Sequence, residues 1–194
     1  MSKRVGVKWI AVTALFVALI AVGGFIRIPI GAVPMTLQTL MVLLASGIGG
    51  KRVGFLSVLI YLMLGLLGVP LFSAGGGITY VLYPTFGYLF AFLPATLIAG
   101  MKRGSIKKRM VLNVVAVLVI HLIGVSYFYL SGNVFLKVAD ELFKSVQGNP
   151  VYTGAELSLG QAFLTGSLVF IPLDLVSAIV GAIIGEKVSK VVNN

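Results

Sequence analysis

The 194-residue chain contains no cysteine, which excludes disulfide frameworks, thiolate metal sites and cysteine nucleophiles. Charge is scarce as well. Asp, Glu, Lys and Arg make up 10% of the residues, against roughly 25% in a soluble domain. The acids are fewest, with five against fifteen Lys and Arg, and there is one histidine. No G-x-x-x-x-G-K-[ST], H-E-x-x-H or G-x-S-x-G string occurs, so a P-loop, a zincin site and a serine-hydrolase elbow are excluded. The acids are also too few for paired intramembrane catalysis. The chain reads as a binder and not an enzyme, with no metal site and no resident cofactor expected. Internal repeats and low-complexity tracts are absent.

What is abundant is apolar surface: 59% of residues are hydrophobic and the mean hydropathy is +1.10. A water-soluble core cannot hide that much, because a domain of ~150 residues buries only about 68–70% of its chain surface. Lipid is the missing solvent. Crossing ~30 Å of hydrocarbon takes about 20 residues of helix, and six apolar runs offer spans: 9–26, 35–48, 53–69, 86–101, 110–130 and 163–185. The second is short and is closed by Lys51 and Arg52. The basic stretch 1–8 precedes the first run as in a signal peptide, but no small-residue cleavage site leads into a polar mature domain, so a retained first span is expected. The expectation is one all-α integral membrane domain, 1–194, with six transmembrane helices.

Orientation follows from the cations. With the N-terminus inside, the inner segments hold Lys3, Arg4, Lys8, Lys51, Arg52, Lys102, Arg103, Lys107, Lys108, Arg109, Lys187 and Lys190. The outer ones keep only Arg27, Lys137 and Lys144. This 12:3 division of the fifteen favours N-in and C-in, hence an even number of spans. Basic clusters set between apolar runs are topology signals, so nucleic acid is not an expected partner and the lipid bilayer is.

The outer connections are unusual. Residues 27–34 (RIPIGAVP) carry two prolines, which favour extended backbone. Residues 71–85 (LFSAGGGITYVLYPT) are apolar but poor in helix formers, and irregular backbone at membrane depth must be buried by protein or line a cavity. In the longest link, 131–160, residues 134–146 fit a short amphipathic helix.

Asp174 is the sharpest candidate. An acid inside a span costs at least ~2.5–3.5 kcal/mol and faces an interior or a wet cavity. It is either a ligand or proton contact or a structural carboxyl, and Pro172 before it is expected to bend the helix. Thr36, Gln38 and Thr39 either read a polar ligand or cap a helix start. Gly75, Gly76 and Gly77 permit close backbone approach, and Tyr80, Tyr83 and Tyr88 offer apolar bodies with polar tips, or else an outer aromatic belt. Ala11, Ala14, Ala18 and Ala21 form one small-residue face on the first span, for internal packing or for a membrane partner. His121 suits an interhelical hydrogen bond better than a metal or proton site. Trp9 beside Lys8 reads as an interfacial anchor.

The string IPIGAVPMTLQTL at 28–40, with GGGITY at 75–80, YPTFGYL at 83–89 and Pro172-Leu173-Asp174, resembles the BioY family. These are the biotin-capturing S components of energy-coupling factor (ECF) transporters. The resemblance spans nearly the whole chain. It implies the S-component membrane fold, with biotin as ligand and a site of Thr36, Gln38, Gly76, Tyr80, Tyr88 and Asp174. Asp174 would take the ureido N–H groups, while Thr36, Gln38 and Tyr80 would donate and Gly76 and Tyr88 would form the wall. The site would open outward beneath 27–34 and 71–85. It further implies docking of Ala14 and Ala18 on a transmembrane coupling subunit, two ATPase subunits that alone bind ATP, and a place in the cell membrane of a prokaryote. Family members commonly carry Lys three residues after the acid; here that residue is Ser177, which leaves Arg27 as the nearest outer cation. The competing reading is a stand-alone secondary transporter or channel for a small organic acid, which would show inverted repeats or several intramembrane charges.

Overall fold

The computed structural model describes residues 2–28, 35–73, 75–101, 105–135 and 158–193. The outer helix expected over 134–146 lies outside them apart from its first two residues, and 29–34 lies outside altogether. Helix α1 (Ser2–Phe25) leads into a two-residue antiparallel pair, β1 (Arg27–Ile28) and β2 (Met35–Thr36), with Arg27 opposite Thr36. Then come α2 (Gln38–Leu66), a short 3-10 helix (Ile78–Leu82), α3 (Phe86–Ala99) and α4 (Ile106–Leu130), which runs on into a π-helical turn, Ser131–Phe135. After the long link, α5 (Leu159–Phe163) and a second π turn (Leu164–Leu168) precede α6 (Ile171–Asn193).

Helix α2 is two spans folded into a hairpin. Gly50, at φ +80°, leaves helical backbone, a conformation that costs glycine nothing and any other residue strain. Beyond it the chain doubles back. Gln38 Nε2 donates to Tyr61 Oη at 2.7 Å, and a Cβ on Gly54 would stand 3.1 Å from the Cα of Ser46. The limbs 38–49 and 51–66 are thus antiparallel, and the expected second and third runs are both present. The sixth span is bent by 42° between α5 with its π turn and α6. The break at 169–170 lies before Pro172, which therefore sits in the first turn of α6, where a missing N–H loses no bond.

Six helical segments are thus found among the described residues, counting the two limbs of α2 and the bent α5–α6 pair as one span. Their exterior departs from that of a soluble domain. Ile10, Leu15, Val22, Phe90, Leu118, Leu122 and Val176 are exposed, while Gln38, Ser46, Ser57, Asn113, His121, Ser167 and Asp174 are buried within an otherwise apolar core. An apolar exterior with the few polar groups drawn inside is the arrangement that lipid demands. Cross-helix bonds tie the interior: Ser57 Oγ donates to Thr13 O at 3.1 Å, and Asn113 Nδ2 to Ala178 O at 2.9 Å. The glycine pair Gly181 and Gly185 meets Gly47, whose added Cβ would stand 3.5 Å from the Gly185 Cα, so α2 and α6 cross closely through small residues. The chain is a multi-pass membrane protein.

Trp9, Lys51, Gly100 and Lys108 share one recess, and Arg109 donates to Ser189 Oγ at 3.2 Å. The start of α1, the α2 hairpin tip, the end of α3, the start of α4 and the end of α6 therefore lie together. This basic end is the inner one by the charge division. The opposite end gathers the irregular connections and the site described next.

Candidate functional site

Asp174 lies in the first turn of α6, where the positive end of the helix dipole favours a carboxylate, and its own N–H donates to Phe170 O at 3.0 Å. It is buried, and its Oδ2 is 3.0 Å from His121 Nε2 of α4. That approach is close without being aligned as a hydrogen bond, since Nε2 has no hydrogen-bond partner. The other ring nitrogen, Nδ1, is fixed 2.8 Å from Ser167 Oγ in the π turn. Tyr88 of α3 meets the imidazole edge-on, with ring centroids 6.3 Å apart, and its hydroxyl donates to the carbonyl of Gly166. The π turn has a reason in this contact: a Cβ on Gly166 would stand 2.7 Å from the Tyr88 hydroxyl. Glycine lets the α5 segment close on the tyrosine.

These groups line a partly open cavity with Thr36, Gln38, Thr39 and Ser73, and with apolar walls from Met35, Leu89, Phe92, Ile120 and Phe170. Its cavity volume is about 60 Å³. It is a narrow, partly open slot. Mostly apolar walls with a few convergent polar groups are the usual make-up of a small-ligand site. A carboxylate accepts hydrogen bonds, and Thr36, Thr39 and Ser73 hydroxyls donate or accept.

Gln38 is both wall and brace. Its Nε2 donates to Tyr61 Oη and, at 3.4 Å, to Ile20 O, while Thr36 Oγ1 approaches its Oε1 at 3.4 Å. Tyr61 in turn donates to Leu71 O at 3.3 Å. This chain of bonds joins β2, both limbs of α2 and the following loop.

Of the remaining candidates, Tyr80, Arg27 and Gly76 do not line the cavity. Tyr80 pairs with Ser73 Oγ at 3.1 Å, and exposed Arg27 donates to Ser73 O. Both hold Ser73, which does line it. Tyr61 of α2 meets Phe72 edge-on, Phe72 lies tilted against Tyr80, and Tyr80 stacks on Tyr83, with centroids 5.4, 4.5 and 4.8 Å apart, so the aromatic residues of this loop form a connected cluster. Gly76 lies against the end of α2, where an added Cβ would meet Val69 O and stand 3.0 Å from Gly65 O. Gly77 N donates to Gly65 O at 2.7 Å, so Gly76 and Gly77 both approach the chain itself. On α1, Ala14 and Ala18 are exposed with Ala11, and Ala21 is buried, so the first three leave a shallow outward face and the last packs inside.

Two cavity residues are brought into the site only by the structure. The interhelical hydrogen bond expected of His121 is present, between its Nδ1 and Ser167 Oγ, and the structure adds its approach to Asp174. Ser73 carries no sequence signal beyond its place in an irregular loop. Ser177 is buried one turn below Asp174 and offers no charge, so the neighbour to Asp174 is an imidazole.

Comparison with known proteins agrees with this architecture. The family model described as "BioY family" matches residues 1–194. The chain is 37% identical over 196 residues to a "Probable biotin transporter BioY" of Lysinibacillus sphaericus, covering 98% of this chain and 91% of the relative. It is 40% identical over 181 residues to the protein of that name from Pyrococcus horikoshii, covering 93% and 95%. Among solved structures it resembles the S-component for biotin from an ECF-type ABC transporter, with a TM-score of 0.67 and 27% identity over 98% of this chain and 95% of that one. With the family model matched from end to end and the helical scaffold shared, the chain belongs to the BioY family.

Proposed function

We propose that this protein is the biotin-binding subunit of an ECF-type uptake transporter in the cytoplasmic membrane of a prokaryote. It captures the vitamin from outside without catalysing a reaction and without a resident cofactor. The observation that carries the reading is the buried Asp174–His121 pair in the wall of a slot that lies at the end opposite the basic one. Biotin presents two ureido N–H donors and one carbonyl on a flat bicycle, then an apolar tail ending in a carboxylate. Asp174 is the buried acceptor for the N–H groups, and such charge-assisted bonds run at about 1.5–3 kcal/mol. Thr36 and Thr39 donate to the ureido carbonyl, Tyr88 with Phe92 and Ile120 flanks the bicycle, and Arg27 on the rim attracts the carboxylate.

The exposed Ala14–Ala18 face is the docking stripe for a transmembrane coupling subunit, because small residues let a second helix approach closely where lipid supplies no hydrophobic drive. Two ATPase subunits, bound to that partner, supply the energy.

The test is equilibrium binding of biotin to the purified chain with no ATP and no ion gradient. Stoichiometric binding, together with uptake only when the partner subunits are present, is expected. Failure to bind biotin, or gradient-driven uptake of an organic acid by the chain alone in vesicles, would overturn the reading.

A further inference from the structure

The inner end carries a recess that the capture of a ligand from outside does not use. Lys51 and Arg52 at the α2 hairpin tip, Lys108 of α4, and Trp9, Met101 and Leu112 line an open surface recess of about 620 Å³. A narrower cleft adjoins it, sharing Gly50, Gly100 and Met101, with Arg109 in its wall. Arg109 is anchored by Nη1 to Gly47 O at 3.1 Å and by Nη2 to Ser189 Oγ at 3.2 Å, and its buried Nε has no hydrogen-bond partner. A buried cationic donor left without an acceptor is costly.

No carboxylate lines either cleft. Of the five acids in the chain, Asp140, Glu141 and Glu156 fall in the outer link and Asp174 lies at the outer site. The fifth, Glu186, is 3.0 Å from Lys190. Positive potential at the recess is therefore not cancelled by the protein's own acids. One wall is apolar, and Ile10 and Val111, the chain neighbours of Trp9 and Leu112, are exposed. The recess thus joins lipid-facing surface on one side and cations on the other, at the level that an interfacial tryptophan marks.

We propose that this recess binds the phosphodiester of an anionic lipid of the inner leaflet. Lys51, Arg52 and Lys108 hold the phosphate and the Trp9–Leu112 wall takes the upper acyl chain. A phosphate group at this depth satisfies the cations, and juxtamembrane basic pockets are suited to such headgroups. A free phosphate ion shares the headgroup chemistry but has no use for the apolar wall, and this favours the lipid as source.

The test is native mass spectrometry of the full-length chain equilibrated in mixed phosphatidylglycerol and phosphatidylcholine, with biotin binding as the check on folding. Phosphatidylglycerol should be retained over phosphatidylcholine. Lys51→Gln/Arg52→Gln/Lys108→Gln should reduce its retention at least about fivefold, and Lys187→Gln, on the same end but outside the recess, should leave it unchanged. Should the triple variant lose biotin binding, Lys108→Gln alone is scored by the same ratio. Equal retention of both lipids, or an equal loss in Lys187→Gln, would overturn the proposal. So would displacement of the lipid by millimolar inorganic phosphate, which would assign the recess to the free ion. Loss of coupling-subunit association with phosphatidylglycerol retained would assign it to the partner protein.

Discussion

Asp174 Oδ2 and His121 Nε2 lie 3.0 Å apart in the interior, the acid at the start of α6 and the imidazole within α4. Ser167 holds the far side of the ring at 2.8 Å, so the carboxylate faces a neighbour that cannot swing away. A lysine one helical turn beyond the acid would make this a full ion pair. With Ser177 there, the acid keeps acceptor capacity for a ligand.

Asp174→Asn keeps the shape, removes the charge and turns half the group into a donor. With a charge-assisted bond at about 1.5–3 kcal/mol, biotin affinity should fall about tenfold or more, since ~1.4 kcal/mol is a factor of ten. Titration of the purified, folded variant measures it, and an unchanged affinity would return Asp174 to a packing role.

Tyr88 is oriented by its bond to Gly166 O. In Tyr88→Phe that carbonyl loses its partner while the ring stays, and biotin binding should weaken about three- to tenfold, by the ~1 kcal/mol worth of such a bond. Gly166→Ala, whose methyl would crowd the hydroxyl at 2.7 Å, should weaken it further. Isothermal titration of both variants gives the ordering, and the reverse order would mean that the π turn is not what positions the ring.

The exposed alanines are testable apart from the site. Ala14→Trp or Ala18→Trp should abolish co-purification with the coupling subunit and biotin uptake, and leave biotin affinity within about twofold, because ΔΔG at sites with no shared contacts is nearly additive. A loss of binding by the purified variants would show that the face contributes to the fold.

Native cysteine is absent, so topology is accessible by single introduced thiols. Gly104→Cys and Val192→Cys should react with a membrane-impermeant maleimide only after the cells are opened. Labelling of either in intact cells would reverse the N-in, C-in orientation.

The hairpin turns on close backbone approach. A Cβ at Gly54 would stand 3.1 Å from the Ser46 Cα, so Gly54→Ala must wedge the two limbs of α2 apart. Overpacking of this sort costs about 1–3 kcal/mol, and the thermal midpoint in detergent should drop accordingly. An unaltered midpoint would show that the limbs have slack.

Much of the fold was legible because lipid leaves a coarse mark. Runs of apolar residues and a one-sided distribution of Lys and Arg are properties of whole segments, and no contact need be known to find them. Asp174, Thr36 and Gln38 were visible for a related reason, as polar groups where polarity is costly. Other features needed the third dimension. The role of His121 depends on α4 and α6 lying side by side, and neither residue announces the other. Gly76 and Gly77 lie against the end of α2, a contact that three consecutive glycines do not specify. Pro172 pointed to a bend ahead of Asp174, yet the backbone breaks at 169–170, just before the proline, which occupies a position that tolerates it.

The shortness of α3 has a mechanical consequence for the surrounding membrane. Its 14 residues rise about 21 Å at 1.5 Å per residue, against about 30 Å for the 20-residue apolar span Gly6–Phe25 of α1. A hydrocarbon slab of ~30 Å thus matches the flank at α1 and is too thick for the flank at α3. Phe90 and Leu97 on α3 face outward, so the short flank meets acyl chains and the mismatch is not hidden by protein. The bilayer must thin beside α3, or flanking side chains must snorkel to the interfaces. Either response makes acyl-chain length a variable to which the protein's seating in the membrane is mechanically sensitive.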